Sequence, residues 1–179
     1  MASKPKSEPD RRFHIEWEQV DWNDDASLTN ESAYGLYAVC GDHPAYGPNV
    51  LLYIGRSETQ RFGKRLSERQ HPDFINTHFS GPFTLRVGRF LSVDNLNVDK
   101  MTQDDWGSAI QESEQLMINS HSPAYNSQDV KSVLDWQEPH IHVFNWGDRG
   151  PLLPEVSSRR FSYEYWDDDK FPWVPLSEE

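Results

Sequence analysis

Apolar residues recur with two different periods along this chain. In FHIEWEQ (13–19), Phe13, Ile15 and Trp17 alternate with polar residues, and that period of two predicts a strand with one buried face. GLYAVC (35–40) and VLLYIG (50–55) are short apolar runs separated by GDHPAYGPN (41–49), which is rich in Gly, Pro and Asp. They predict two strands paired as an antiparallel hairpin. FTLRVGRF (83–90) alternates again and predicts another strand. The period changes over 104–120, where Trp106, Ala109, Ile110 and Met117 fall on one helical stripe. Asp104 or Asp105 can cap that helix and Pro123 stops it. A shorter helix is predicted over 58–70, with Phe62 and Leu66 at helical spacing and Gly63 weakening it by about 1 kcal/mol. HIHVFNW (140–146) and RRFSYEYW (159–166) predict two further strands, and DWNDDASLTNES (21–32) a loop.

The 179 residues suffice for one domain with an extension, large enough to bury a core without metal or disulfide staples. Seven Trp, seven Tyr and nine Phe argue against a disordered chain. Cys40, the single cysteine, excludes an internal disulfide and a zinc site made of cysteines alone, and it reads as a small core residue. No apolar run approaches the ~20 residues of a membrane-spanning helix. The opening MASKPKSEPDRR carries no apolar stretch, so residues 1–12 are expected to be a mobile lead and no secretory leader is predicted. These features predict a cytoplasmic protein without a membrane partner.

The formal net charge of −12 argues against nucleic acid as a partner until its distribution is considered. Between residues 51 and 90, Arg56, Arg61, Lys64, Arg65, Arg69, Arg86 and Arg89 face only Glu58, Glu68 and Asp73, seven cations against three anions and a net of +4. Such a strip is either a solvated face or a phosphate-binding surface. Arg56, Lys64, Arg69, Arg86 and Arg89 are the candidate substrate contacts.

Around that strip lie Gly35-Leu36-Tyr37, Tyr53-Ile54-Gly55, Arg65 within GKRL, Glu114 within EQLMI, and Tyr125-Asn126. This ordered set resembles the GIY-YIG nuclease superfamily over roughly residues 33–127. The resemblance implies an α/β (α+β) fold, with a small three-stranded antiparallel sheet flanked by helices. Residues 13–32 and 128–179 are then N- and C-terminal extensions adding strands, the second ending in an acidic, aromatic tail. It further implies cleavage of phosphodiester bonds with one divalent ion, Mg²⁺ or Mn²⁺, held by Glu114. Tyr37, Tyr53, Arg65, Glu114 and Asn126 become the candidate catalytic residues.

The chemistry of these side chains agrees. Phosphodiester hydrolysis needs an activated water and neutralisation of the charge developing on phosphorus. One carboxylate suffices for a Mg²⁺ that also takes waters and a phosphate oxygen. Arg65 offers a planar fork to the phosphate. Tyr37, or else Tyr53, positions the attacking water or takes its proton; with an ordinary tyrosine pKa of about 10, it needs positive charge nearby. Asn126 orients the site through hydrogen bonds.

Several alternatives stay open. Arg61 is a fallback for Arg65, because the Tyr53-to-Arg65 spacing is about two residues long for the family. One turn beyond the arginine the chain offers Arg69 or His71 as a supporting group, and Arg56 follows the second motif directly. Glu112 competes with Glu114, but the two lie about 200° apart around a helix, so only one faces the site. His140 and His142 could share a strand face and bind metal, yet a lone pair is more often structural. Trp17, Trp22, Trp136, Trp146, Trp166 and Trp173 are expected to pack the extensions onto the core. DNA is the first expected partner and RNA the second, with a homodimer as a weak expectation. The competing class is a catalytically silent binding module.

Overall fold

The chain forms β1 (Arg11–Val20), β2 (Gly35–His43), β3 (Gly47–Ser57), β4 (Phe83–Asp94), α1 (Gln103–His121), β5 (Ile141–Gly147) and β6 (Glu155–Ser157), followed by a 3-10 turn at Ser158–Phe161. This computed structural model describes residues 9–21, 34–58, 62, 82–94, 101–126 and 139–161.

All six strands belong to one curled sheet, in the order β3-β2-β4-β1-β5-β6. Neighbours are antiparallel except β1 and β5, which run parallel. The expected small three-stranded sheet flanked by helices is therefore incorrect. About half of the described residues lie in strands, and α1 is the one helix among them. The physical reason lies in β4 and β1. β4 is 12 residues long, and β1 pairs with the edge that β2 leaves open, from Arg12↔Asp94 to Val20↔Leu85. β1 then presents its own far edge to β5, so the ladder continues past the third strand. Residues read as an N-terminal extension thus sit inside the sheet.

The alternation of β1 is as the sequence implies. Phe13, Ile15 and Trp17 are buried and join Leu36, Ala38, Ile54, Ile141 and Val143 beneath the apolar side of α1. Trp17 also donates Nε1–H to Asn145 Oδ1 at 2.8 Å, which satisfies the polar edge of a buried indole. On the opposite sheet face, Tyr37, Val39, Leu52, Leu85 and Val87 form a second core with Phe62. A bulge between Val39 and Cys40 shifts the pairing from Tyr53 to Leu51, which places Leu52 in this second core.

Some predicted boundaries move. β1 begins at Arg11, inside the expected mobile lead. The cap of α1 is Thr102, whose side chain accepts from Asp105 N while Asp105 accepts from Thr102 N. Asp105 is therefore the third helical residue of a capping box rather than the cap. The strand expected over 159–166 is replaced, in its described part, by the 3-10 turn, because the ladder with β5 runs through Glu155–Ser157. The helix predicted over 58–70 lies outside the described residues except for buried Phe62. The loop over 22–32 and the acidic tail also lie outside them. Among the described residues no helix is long and apolar enough to cross a membrane.

Candidate functional site

Four consecutive residues of β3 each touch one of the separated motif elements. The Tyr53 ring centre lies 6.0 Å from that of Tyr37. Ile54 gives its N–H to Asn126 Oδ1 at 2.9 Å and accepts from Asn126 Nδ2 at 2.8 Å. Gly55 is Tyr37's partner across the ladder, and a Cβ there would overlap the Tyr37 ring. Arg56 meets Glu114 through Nη1 and Oε2 at 2.5 Å.

Asn126 continues a short strand-like contact on the outer edge of β3. Ala124 N–H bonds to Leu51 O and Tyr125 N–H to Leu52 O, at 3.2 and 2.9 Å. The amide of Asn126 thus imitates a backbone unit and covers the edge one step further. Its hydrogen-bonding capacity toward Ile54 is structural, whatever else it does.

Glu114 is nine-tenths buried on α1, and its guanidinium partner Arg56 also bonds Glu58 through Nε at 3.3 Å. Burial works against the Arg56 charge, but the Glu114 and Glu58 carboxylates outweigh it and make the guanidinium more basic than usual. Glu112, the competing acid, points elsewhere and pairs with Arg11 at 2.7 Å. The helical angle between the two acids sends them to different partners.

Strand alternation separates the two halves of the motif. Arg56 pairs with Leu36, whose side chain lies in the α1 core, so Arg56 and Glu114 occupy the α1 face. Tyr37 and Tyr53 belong to the other face, where Tyr37 is only 2% exposed and Tyr53 is half-buried. The structure therefore brings together Arg56 with Glu114, and Tyr37 with Tyr53, on opposite sides of an edge strand.

The basic strip divides as well. Arg86 is buried and turned inward, donating to Asp148 O at 3.0 Å and Thr84 Oγ1 at 2.9 Å. Arg89 pairs with Glu18 at 2.8 Å at the surface. Arg61, Lys64, Arg65, Arg69 and His71 lie outside the described residues, as do Trp22, Trp136, Trp166 and Trp173. His140 is buried against Ser158, whereas His142 faces Asp10 at 3.3 Å and Glu155 at 3.5 Å. Trp146, expected to pack, is half exposed beside the His14 and Phe144 rings. Cys40 is buried, and burial pushes its thiol pKa up. Among the described residues, no three His, Cys, Asp or Glu side chains gather as a metal site.

An open cavity of about 540 Å³ adjoins the Arg56–Glu114 pair, lined by Tyr34, Glu58, Arg89, Phe90, Gln103, Trp106 and Ile110. Trp106, Ile110 and Glu114 succeed one another at four-residue steps along α1, so one ridge runs from the cavity to the buried acid. Glu58 lines the cavity and also holds Arg56. Of these residues the sequence marks Trp106 and Ile110 as a helical stripe, Arg89 as a cation of the basic strip and Glu58 as one of its few acids. Tyr34, Phe90 and Gln103 carry no local signal: the rungs Gly35↔Ser57 and Gly35↔Arg89 bring the first two beside Glu58, and Gln103 comes from the start of α1. Comparison with protein-family models, with curated proteins and with solved structures finds no match to this chain.

Proposed function

We propose that the protein is a metal-dependent nuclease that hydrolyses phosphodiester bonds, in DNA first and in RNA as the second possibility. The observation that supports this reading is the convergence on β3. Tyr37, Glu114 and Asn126 are far apart in sequence, yet they meet Gly55, Arg56 and Ile54, beside Tyr53. Apart from Arg56, these residues belong to the motifs on which the GIY-YIG resemblance rests.

The donor set suits Mg²⁺ in one respect. Glu114 is a single, well-held carboxylate, and a hard cation of this kind takes its remaining positions from water and phosphate oxygens. Glu114 would hold the ion, which supplies charge neutralisation at phosphorus and a more acidic water. Arg56 fixes the orientation of that carboxylate and adds positive charge beside it. Tyr53 is the more exposed of the two tyrosines, which favours its hydroxyl over that of Tyr37 for positioning the attacking water. Tyr37, set against Gly55, supports the Tyr53 ring. Arg65 retains the role of phosphate fork that the resemblance implies.

The Arg56–Glu114 ion pair also favours a second reading, a silent nucleic-acid-binding module in which Glu114 is purely structural. Plasmid nicking at low salt with Mg²⁺ or Mn²⁺, run beside Glu114→Gln, separates them. Metal-dependent nicking that disappears in the variant supports the nuclease. Nucleic-acid binding without cleavage of duplex, branched or single-stranded substrates supports the module.

A further inference from the structure

The cavity between β4 and the start of α1 is larger than the motif chemistry requires. We propose that it receives a single unstacked nucleobase of the bound strand, next to the phosphodiester held at Glu114. The proposal deepens the nuclease reading and rests on it for the identity of the strand.

Size and wall chemistry carry the first step. About 540 Å³ lies within the ~300–1,000 Å³ range of small-molecule sites, and such sites combine apolar walls with a few fixed polar groups. Here Trp106, Phe90, Tyr34 and Ile110 form the walls. Phe90 and Trp106 meet edge to face, with centres 6.0 Å apart and planes at 83°. A flat ring can therefore stack on one of them and take the edge of the other, the arrangement that aromatic rings prefer. Gln103 brings an amide that both donates and accepts, and Glu58 brings an acceptor. These complement the mixed edge of a base.

Charge decides between base and phosphate. Among the described lining residues, the one cation, Arg89, is paired with Glu18, and the one acid, Glu58, is paired with Arg56. Asp104 and Asp105 follow Gln103 in the first turn of α1 and oppose the positive end of that helix. With no net positive charge among its described lining residues, the cavity favours an uncharged aromatic ring over a phosphate. Connectivity supplies the last step. The Glu58–Arg56–Glu114 chain and the Trp106–Ile110–Glu114 ridge both join the cavity to the candidate metal ligand. A base seated there lies beside the phosphodiester, where it could select the nucleotide or the distorted structure to be cut.

The test uses the full-length protein with adenosine, guanosine, cytidine and thymidine as probes, and ribose 5-phosphate as the control. Binding is read by tryptophan fluorescence and by thermal shift. At least one nucleoside should bind at about 1 mM or tighter, while ribose 5-phosphate should not. Trp106→Leu should weaken nucleoside binding about tenfold or more, as loss of a stacking partner does. Gln103→Ala, at an exposed helical position, should weaken it with the fold intact, which guards against misfolding of the Trp106 variant. Absence of nucleoside binding by folded protein, equal binding of ribose 5-phosphate, or unchanged binding in both variants each overturns the proposal. Nicking assays on the same preparations keep the two readings apart. Glu114-dependent nicking without nucleoside binding removes the base pocket alone. Trp106-dependent nucleoside binding without nicking retains the pocket and removes the nuclease.

Discussion

The Arg56 guanidinium and the Glu114 carboxylate meet at 2.5 Å between β3 and α1, with the acid almost fully enclosed and the arginine about one-third exposed. This pair joins the edge strand to the helix and forms the inner end of the ridge that leads to the aromatic cavity. It also sets how Glu114 can be tested, because removing the acid strands a cation that is partly buried.

Glu114→Gln keeps the shape and one hydrogen bond but cancels the countercharge. A fully buried broken pair costs about 3–5 kcal/mol; with Arg56 partly in water the expected loss is about 1–3 kcal/mol. Urea unfolding should show this loss while the variant remains folded in buffer. Nicking by that folded variant should be abolished. Cleavage at the wild-type rate would rule out Glu114 as the proposed metal ligand.

Gly55 is a glycine because Tyr37 occupies the space where a side chain would be. Gly55→Ala should cost about 1–3 kcal/mol through overpacking, measured by chemical denaturation. Tyr37→Leu shortens the side chain, so Gly55→Ala should cost less in that background. Equal costs in both backgrounds would show that the ring is not what requires the glycine.

The sequence was most legible where the contacts are local. The period-two burial of Phe13, Ile15 and Trp17, the hairpin of β2 and β3, and the extent of α1 follow from spacing and turn chemistry. The sheet's size was not legible, because the β1–β4 and β1–β5 pairings join residues some 70 to 130 positions apart and leave no periodic trace. The same holds for the candidate site. Tyr37, Tyr53, Glu114 and Asn126 stood out as a motif, but their division between two faces depends on which neighbours each face acquires. Arg86 illustrates the limit. In sequence it is one more cation in a basic strip; in the fold, Asp148 and Thr84 hold it from the far end of β5 and from its own strand.

Arg86 and Arg89 should therefore respond differently to substitution. Arg86→Met removes buried hydrogen bonds to a charged group and should cost about 1.5–3 kcal/mol. Arg89→Ala removes a surface ion pair and should stay within about 1 kcal/mol of wild type. Denaturation curves give both values, and DNA binding at several salt concentrations gives the count of phosphate contacts. A shallower salt slope for Arg86→Met, with unchanged stability, would restore Arg86 as a phosphate contact.

His121 gives the protein a pH dependence whose sign can be worked out. At the last turn of α1, its Nδ1 donates to Met117 O at 2.8 Å and its Nε2 accepts from Leu153 N–H at 2.8 Å. One ring nitrogen carries hydrogen and the other accepts, which is the neutral imidazole. Burial pushes the pKa of His121 down, and the bond to Met117 O only partly offsets this. The unfolded chain therefore takes up a proton at the ordinary value near 6.5 before the folded one does. The stabilisation is fully present above that value and is lost as pH falls from there through the lowered folded value. His121→Gln can still donate and accept but does not titrate in this window. Wild type should lose more stability than this variant between about pH 7.5 and pH 5, and the difference between the two curves isolates His121 from the other histidines. Parallel curves would mean that the ring protonates without leaving its place between Met117 and Leu153.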